Sequence, residues 1–179
     1  MTYTEIENAL DRMTVLYDTR EQQTASLRRR LSAMPCNTKR EKLDSGDYSC
    51  ETTLPDGTVY SLKHLFAIER KMSLGEICGN FGTGRDRFRR EFERFIGGGG
   101  KICILVENAT FKALRAHKYT SKMLPQALTA SLASWYAEFD CPFYFCEKEN
   151  SGYLIYNILR YQLREHLKRE FGKNAKQKK

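Results

Sequence analysis

The stretch Phe66-Ala67-Ile68-Glu69-Arg70-Lys71-Met72 runs an apolar strand straight into one acid and two bases, and Ser73-Leu74-Gly75-Glu76 then has the spacing of a helix-capping box. Strand side chains alternate faces, so Glu69 and Lys71 share one side of the sheet while Ile68 and Arg70 share the other. A carboxylate and an ammonium group therefore meet where a strand gives way to a helix. Solvated charge at a strand end is the plain alternative.

The segment before this strand reads as its partner. Residues 43–71 contain two strand patterns joined by the turn Pro55-Asp56-Gly57. A hairpin centred between Asp56 and Gly57 places Asp47 opposite Phe66, three residues short of Glu69, so a bulge or small loop near Lys63-His64 is expected to restore the register. Asp47 then brings a second carboxylate to Glu69. Asp18, at the end of Thr14-Val15-Leu16-Tyr17-Asp18, offers a third. Carboxylates at the ends of neighbouring strands suit a hard cation such as Mg²⁺, which prefers oxygen ligands and keeps several waters. With a nearby lysine this is chemistry for phosphodiester hydrolysis. An Asp followed at strand length by Glu-x-Lys is nevertheless a short pattern that also arises by chance.

Outward from this centre, residues 4–13 read as a helix with Ile6, Leu10 and Met13 on one side, and residues 21–33 as a helix that shows Arg28, Arg29 and Arg30 to solvent. After Ser73 a helix weakened by Gly79, Gly82 and Gly84 is followed by one that Thr83 and Asp86 cap, burying Phe88, Phe92 and Phe95 up to the glycine run 97–100. Lys101-Ile102-Cys103-Ile104-Leu105-Val106-Glu107 reads as a strand, the stretch after it, containing residues 116–122, as a loop, 123–139 as a helix, 143–146 as a short strand and 152–171 as a long helix. The order α-β-α-β-β-α-α-β-α-β-α predicts an α/β fold, one mixed sheet flanked by helices. With 179 residues one domain is expected, over residues 1–171, followed by a basic disordered tail over 172–179.

Charge sharpens the picture. Residues 20–42 carry seven bases against two acids and residues 160–179 eight against two, within a chain of net charge +8. Two basic regions on a slightly acidic remainder point to a polyanionic partner, nucleic acid above all. The six cysteines form no C-x-x-C pair and sit mostly among apolar neighbours, as buried free thiols in a reducing compartment do. Neither a membrane span nor a signal peptide is expected, and the protein is read as soluble, intracellular and cytoplasmic. Arg85 and Arg87, interleaved with Phe88, are candidates for DNA contact or a solvated helix face, and His117, Lys118 and Lys122 on the later loop are candidates for phosphate contact, with an ordinary surface loop as the simpler explanation.

Taken in order, VLYDTRE (15–21), GDY (46–48) and IERK (68–71) resemble the nuclease motifs of the XPF-type structure-specific endonucleases, a branch of the PD-(D/E)XK superfamily. The similarity runs from Val15 to Leu167 and extends to the stand-alone versions of bacteriophages and bacterial mobile elements, which carry counterparts of GRDRFRREFER (84–94) and HKYTSK (117–122). The resemblance implies a restriction-endonuclease-like fold and a Mg²⁺- or Mn²⁺-dependent DNA endonuclease acting at branched or flapped DNA, usually as a homodimer, in a bacterial or phage-infected cell. Carried over by position, it implies Asp47 and Glu69 as metal ligands, the main-chain carbonyl of Arg70 as a further one, Lys71 as the catalytic lysine, Asp18 as completing the acidic cluster, and Arg20 and Glu21 as supporting residues. Two departures stand out. The family's Asp four residues past the lysine is Gly75 here, with Glu76 beside it, and the gap between Asp47 and Glu69 is longer than in eukaryotic relatives. The alternatives are a catalytically inactive DNA-binding partner of the same fold, or another PD-(D/E)XK nuclease such as a junction resolvase, against which the Arg and Glu of Asp18-Thr19-Arg20-Glu21 speak.

Overall fold

Seven strands make one mixed sheet in a computed structural model that describes residues 1–172. Along the chain the elements are α1 (Tyr3–Asp11), β1 (Thr14–Asp18), α2 (Ala25–Ser32), β2 (Asn37–Glu41), β3 (Tyr48–Thr53), β4 (Val59–Ser61), β5 (Phe66–Lys71), α3 (Leu74–Phe81), α4 (Arg85–Gly97), β6 (Lys101–Glu107), α5 (Phe111–Arg115), α6 (Pro125–Phe139), β7 (Phe143–Cys146) and α7 (Ser151–Phe171). The sheet order is β2-β1-β3-β5-β6-β7, with β4 pairing only with β3. Pairing is antiparallel for β1 with β3 and for β3 with β5, and parallel for β1 with β2, β5 with β6 and β6 with β7. This is the α/β architecture that the pattern of elements predicts. The tail expected at 172–179 lies, apart from Gly172, outside the described residues. No helix among the described residues is long and apolar enough to cross a membrane.

The expected break in the hairpin is present. Near the turn, Thr53 opposes Val59 and Glu51 opposes Ser61, whereas farther along Tyr48 opposes Ile68, four residues out of that register. The slack is taken up between β4 and β5, where the amides of Leu65 and Phe66 both donate to the Leu62 carbonyl in a tight loop through Lys63-His64. Asp47 comes to lie beside Glu69 for this reason.

Alternation sorts the strands into two cores. Phe66 and Ile68 of β5, with Cys103 and Leu105 of β6, face α1 and α7 together with Leu10, Leu159 and Leu163. Ala67, Ile102, Ile104 and Val106 face the other way, toward α3, α4 and α6, where Phe81, Phe88 and Phe92 surround the fully buried Trp135. Glu69 and Lys71 share parity with Ala67 and emerge on the α4 side. Arg70 and Glu107 emerge on the α7 side.

Four local features differ from expectation. Strand β2 was hidden because its sequence, Asn37-Thr38-Lys39-Arg40-Glu41, buries no side chain; its place comes from parallel pairing with β1. Helix α5 is a short turn within what reads as loop. Helix α4 begins at an N-cap Gly84 that makes no side-chain cap, so Thr83 and Asp86 do not form the expected one. Finally, Arg30 is not a solvent-facing member of its arginine run but 5% exposed, because α2 turns it under the sheet toward buried acceptors.

The contact that brings α2 to this position depends on Gly152. A Cβ there would overlap the Arg30 carbonyl oxygen and press on Ala33 Cβ, so only glycine lets the start of α7 lie against the end of α2. Gly152→Ala should lower stability by about 1–3 kcal/mol through overpacking. Gly97→Ala, where the added methyl meets open space, should leave stability equal or higher. Chemical denaturation of both variants checks the contrast.

Candidate active site

Asp47 stands where three strands meet. Its amide donates to the Ile68 carbonyl of β5 at 2.8 Å, and its own carbonyl accepts from the Asp18 amide at the end of β1 at 2.9 Å. Gly46, at φ +70°, makes the approach possible, since a Cβ there would come within 2.9 Å of Ala67 Cβ and 3.0 Å of the Ile68 carbonyl oxygen. The Asp47 carboxylate accepts the Arg70 amide at Oδ2, 2.7 Å. Glu69, on the adjoining strand, accepts from Lys71 Nζ at Oε1, 2.6 Å. One oxygen of each carboxylate is thereby left for a cation.

Lys71 is only 8% exposed at its side chain, lies over the Phe88 ring at 5.0 Å from its centroid, and has Glu76 Oε1 at 3.9 Å on its other side. Strand parity and helix α4 together hold its ammonium beside Glu69. Glu76 also stabilises the start of α3: Ser73 Oγ accepts the Glu76 amide, while the Glu76 carboxylate accepts the Met72 amide at 2.7 Å. Gly75 beside it is held by close approach, for a Cβ there would lie 2.9 Å from the Thr120 carbonyl oxygen of the 117–122 loop.

Burial first, and then the charge of Glu69, push the Asp47 carboxyl up to about 8, although the Arg70 amide pulls the other way. Two carboxylates pressed together so that one resists ionising are a pair that a divalent cation would relieve. The donors are all oxygen, which fits Mg²⁺ or Mn²⁺. Among the described residues no three His, Cys, Asp or Glu side chains converge as a ready cluster, so Asp47 and Glu69 form a pair rather than the expected trio.

Asp18 is close by but fully buried and already engaged. Its Oδ1 accepts from the Arg20 amide at 2.7 Å and from Arg20 Nε at 2.6 Å, and its Oδ2 accepts from the Leu43 amide at 2.7 Å. Burial alone would raise its pKa, but the hydrogen bonds from Arg20 and Leu43 outweigh it and hold the carboxyl below the ordinary value. In this arrangement Asp18 aims Arg20. The Arg20 guanidinium reaches the Gly46 carbonyl and stays 66% exposed on the lip of the cleft.

The cleft itself, about 180 Å³, is lined by Arg20, Asp44, Ser45, Gly46, Asp47, Glu69, Glu91 and Arg94. It opens into a groove of about 640 Å³ that includes Lys42, His64 and again Arg20 and Arg94. Arg87 lines a separate open groove with Lys71 and Glu76. Arg85 instead lies over Trp135 at 5.9 Å. His117, at φ +52°, is hydrogen bonded to the Ser121 carbonyl, which ties the loop bearing exposed Lys118 and Lys122 to itself. Glu91, Arg94, Lys42 and His64 were missed by the reading of the sequence. Arg87, Glu91 and Arg94 fall at i, i+4 and i+7 on α4, within the stretch GRDRFRREFER (84–94), so helical spacing and that stretch carried the signal.

Behind the strand lies a second charged group. Glu107 accepts from Arg30 Nε at 2.9 Å and from Arg70 Nη1 at 3.0 Å; Tyr48 OH accepts from Arg30 at 3.0 Å and donates to Glu21 at 3.1 Å. Glu21 also lies 3.6 Å from both Arg30 and Arg70. Glu21 and the Arg70 side chain thus belong to this buried network, on the opposite face from Asp47, Glu69 and Lys71. Tyr48 stands in the GDY stretch and Glu107 follows from strand parity, whereas Arg30, on α2, had no signal in the sequence.

The raised Asp47 pKa has a measurable consequence. Between the ordinary aspartate value near ~3.9 and the folded value, the folded protein holds a proton at Asp47 that the unfolded chain has lost, so this group's contribution to stability falls as pH rises through that window. Without divalent cations, the melting temperature of Asp47→Asn relative to the natural protein should therefore climb from pH 5 to pH 8. A difference that stays flat with pH would contradict the assignment.

A family model described as the ERCC4 domain matches residues 17–158, a span that contains Asp18, Asp47, Glu69 and Lys71. Among solved structures the chain is similar to XPF from Aeropyrum pernix, at 18% identity and a TM-score of 0.61, over 84% of this chain and 65% of that one. It is likewise similar to XPF from Aeropyrum pernix in complex with DNA, at 17% identity and a TM-score of 0.61, over 86% of this chain and 66% of that one. This chain therefore spans just under two-thirds of the length of those proteins. No curated protein matches it in sequence. The likeness to the solved structures is one of fold, and the family match covers most of the chain: it belongs to the ERCC4-domain family and folds as an XPF-type nuclease domain.

Proposed function

We propose that this protein is a divalent-metal-dependent DNA endonuclease that hydrolyses phosphodiester bonds, leaving a 5′-phosphate and a 3′-hydroxyl. The observation that carries the reading is the meeting of Asp47 and Glu69 in one cleft, with Lys71 hydrogen bonded to Glu69 on the same sheet face and single oxygens of both carboxylates left over. Asp47, Glu69 and the Arg70 main-chain carbonyl would hold Mg²⁺ or Mn²⁺. A cation there supplies Lewis acidity, acidifying water and neutralising charge on the phosphate. Lys71, fixed by Glu69 and the Phe88 ring, places an ammonium where negative charge grows during attack on phosphorus. Arg20, aimed by Asp18 at the lip, binds and orients a phosphate of the substrate. Asp18 acts here by positioning.

DNA as substrate is supported by the family, by the complex of a similar fold with DNA, and by the basic groove of Arg20, Lys42 and Arg94 beside the cleft. Branched or flapped DNA and a homodimer complete the proposal, following the XPF-type resemblance. An intracellular site of action suits the six cysteines, all free and five of them buried. Cleavage of a panel of single-stranded, duplex, flap, fork and four-way DNAs, with and without Mg²⁺, tests the reading; no cleavage of any of them would favour an inactive DNA-binding partner of the same fold.

Two sets of variants separate catalysis from binding. Asp47→Asn and Glu69→Gln should abolish cleavage while the fold persists by circular dichroism, since each removes a ligand charge at nearly constant size. Lys71→Ala should reduce single-turnover cleavage by about 10²–10³-fold, as loss of one preorganised stabilising group does. Its affinity for DNA, measured with Ca²⁺ in place of Mg²⁺, should stay nearly unchanged. Parallel losses in both measurements would make Lys71 a DNA anchor only.

A further inference from the structure

The residues of the buried network are the immediate neighbours of the candidate ligands, turned to the other side of the sheet. Tyr48 follows Asp47, Arg70 lies between Glu69 and Lys71, and Glu107 closes the strand next to β5. Yet the strands that carry the two carboxylates are weakly tied to each other. In the β3–β5 ladder only Tyr48 and Ile68 pair among the described residues, supplemented by the hydrogen bonds of Asp47 with Ile68 and Arg70 and of Ser49 Oγ with the Phe66 carbonyl. So short a ladder leaves the spacing of Asp47 against Glu69 underdetermined by the sheet. The network supplies the missing constraint: Glu107, 1% exposed, gives one oxygen to Arg30 and the other to Arg70, while Arg30 reaches Tyr48.

We propose that Glu107 is a positioning residue for the metal site: by binding Arg30 and Arg70 together behind the sheet, it sets the register of Asp47 against Glu69 in front of it. Arg70 is the mechanical link, because its side chain is held by Glu107 while its amide is donated to Asp47 Oδ2. Arg30 and Tyr48 complete the loop back to β3. A buried ion network of this kind adds little net stability against an apolar replacement, but it admits only one arrangement of its members. The inference rests on the reading of Asp47 and Glu69 as cation ligands, and its test keeps the two apart.

Mn²⁺ binding to the DNA-free protein is measured by titration calorimetry for the natural protein and for Asp47→Asn, Glu107→Gln, Tyr48→Phe and Leu159→Ala, alongside the melting temperature of each. Outer residues that orient ligands typically contribute about 10–100-fold in metal affinity. Glu107→Gln keeps the shape and removes the shared charge, so Mn²⁺ affinity should fall by about tenfold or more. Tyr48→Phe, which removes only the hydroxyl joining Arg30 to Glu21, should give a smaller loss in the same direction. Leu159→Ala, a cavity in the same core away from the network, should lower the melting temperature and leave Mn²⁺ affinity as it was. The proposal is overturned if Glu107→Gln binds Mn²⁺ as the natural protein does, or if Leu159→Ala loses affinity to the same extent. Should Glu107→Gln fail to fold, unchanged affinity in Tyr48→Phe overturns it instead. Absence of Mn²⁺ binding in the natural protein, or its persistence in Asp47→Asn, would defeat the metal reading itself and the inference with it.

Discussion

The hydrogen bond from the Arg70 amide to the Asp47 carboxylate joins everything else in this molecule. It ties the two strands that carry the candidate ligands, and it does so at Arg70, whose side chain reaches the buried network behind the sheet. A strand pair usually secures its geometry by repetition, one ladder bond after another. Here the ladder is a single pair among the described residues, supplemented by the backbone bond from Asp47 to Ile68 and by the side chains of Asp47 and Ser49. The insertion between β4 and β5 is what brings this about: it frees β5 from the hairpin register and lets Glu69 slide alongside Asp47.

The acid and two bases at the end of β5 therefore have separate explanations. Glu69 and Lys71 pair with each other on the α4 side, where the Phe88 ring covers the ammonium. Arg70 is desolvated on the α7 side between Glu21 and Glu107, whose charges outweigh the burial that would otherwise lower its pKa and raise it instead. Two arginines and two glutamates share that interior, so the group is near neutral overall. Removing either partner from such a pair leaves an uncompensated buried charge, whereas the intact set contributes mainly specificity of arrangement. The same alternation that makes an ordinary strand half buried here puts the candidate ligands on one face and the buried ion network on the other.

How far the sequence revealed this follows from what each residue looks like locally. Helices with apolar spacing, the strands 14–18 and 101–107, the break near Lys63-His64 and the placing of Asp47, Glu69 and Lys71 beside one another were all legible, because periodicity and turn chemistry act over a few residues. Strand β2 was not, since Asn37-Thr38-Lys39-Arg40-Glu41 has no apolar alternation and owes its conformation to a neighbour. Arg30 looked like its exposed neighbours Arg28 and Arg29, and Glu107 like a polar strand end; both are buried only because of partners 77 residues apart in sequence. Asp18 was legible as an acid at a strand end near Asp47 but not as a buried acceptor for Arg20 and Leu43, which depends on where the chain returns after β2.

Gly75 shows how the departure from the family motif is accommodated. The position four residues past Lys71 faces the Thr120 carbonyl at a distance that leaves no room for a side chain, so an aspartate could stand there only if the 117–122 loop moved away. Glu76, one residue on, has its carboxylate on the Met72 amide and within 3.9 Å of Lys71 Nζ. Its capping role and its closeness to Lys71 are compatible because both partners sit at the junction of β5 and α3. Negative charge thus remains beside the lysine although the motif's acid is absent, while the space that acid would occupy is filled by backbone of the loop bearing His117, Lys118 and Lys122. Packing accounts for the glycine, because the 117–122 loop lies against the start of α3 with the Thr120 carbonyl where a side chain at this position would have to begin.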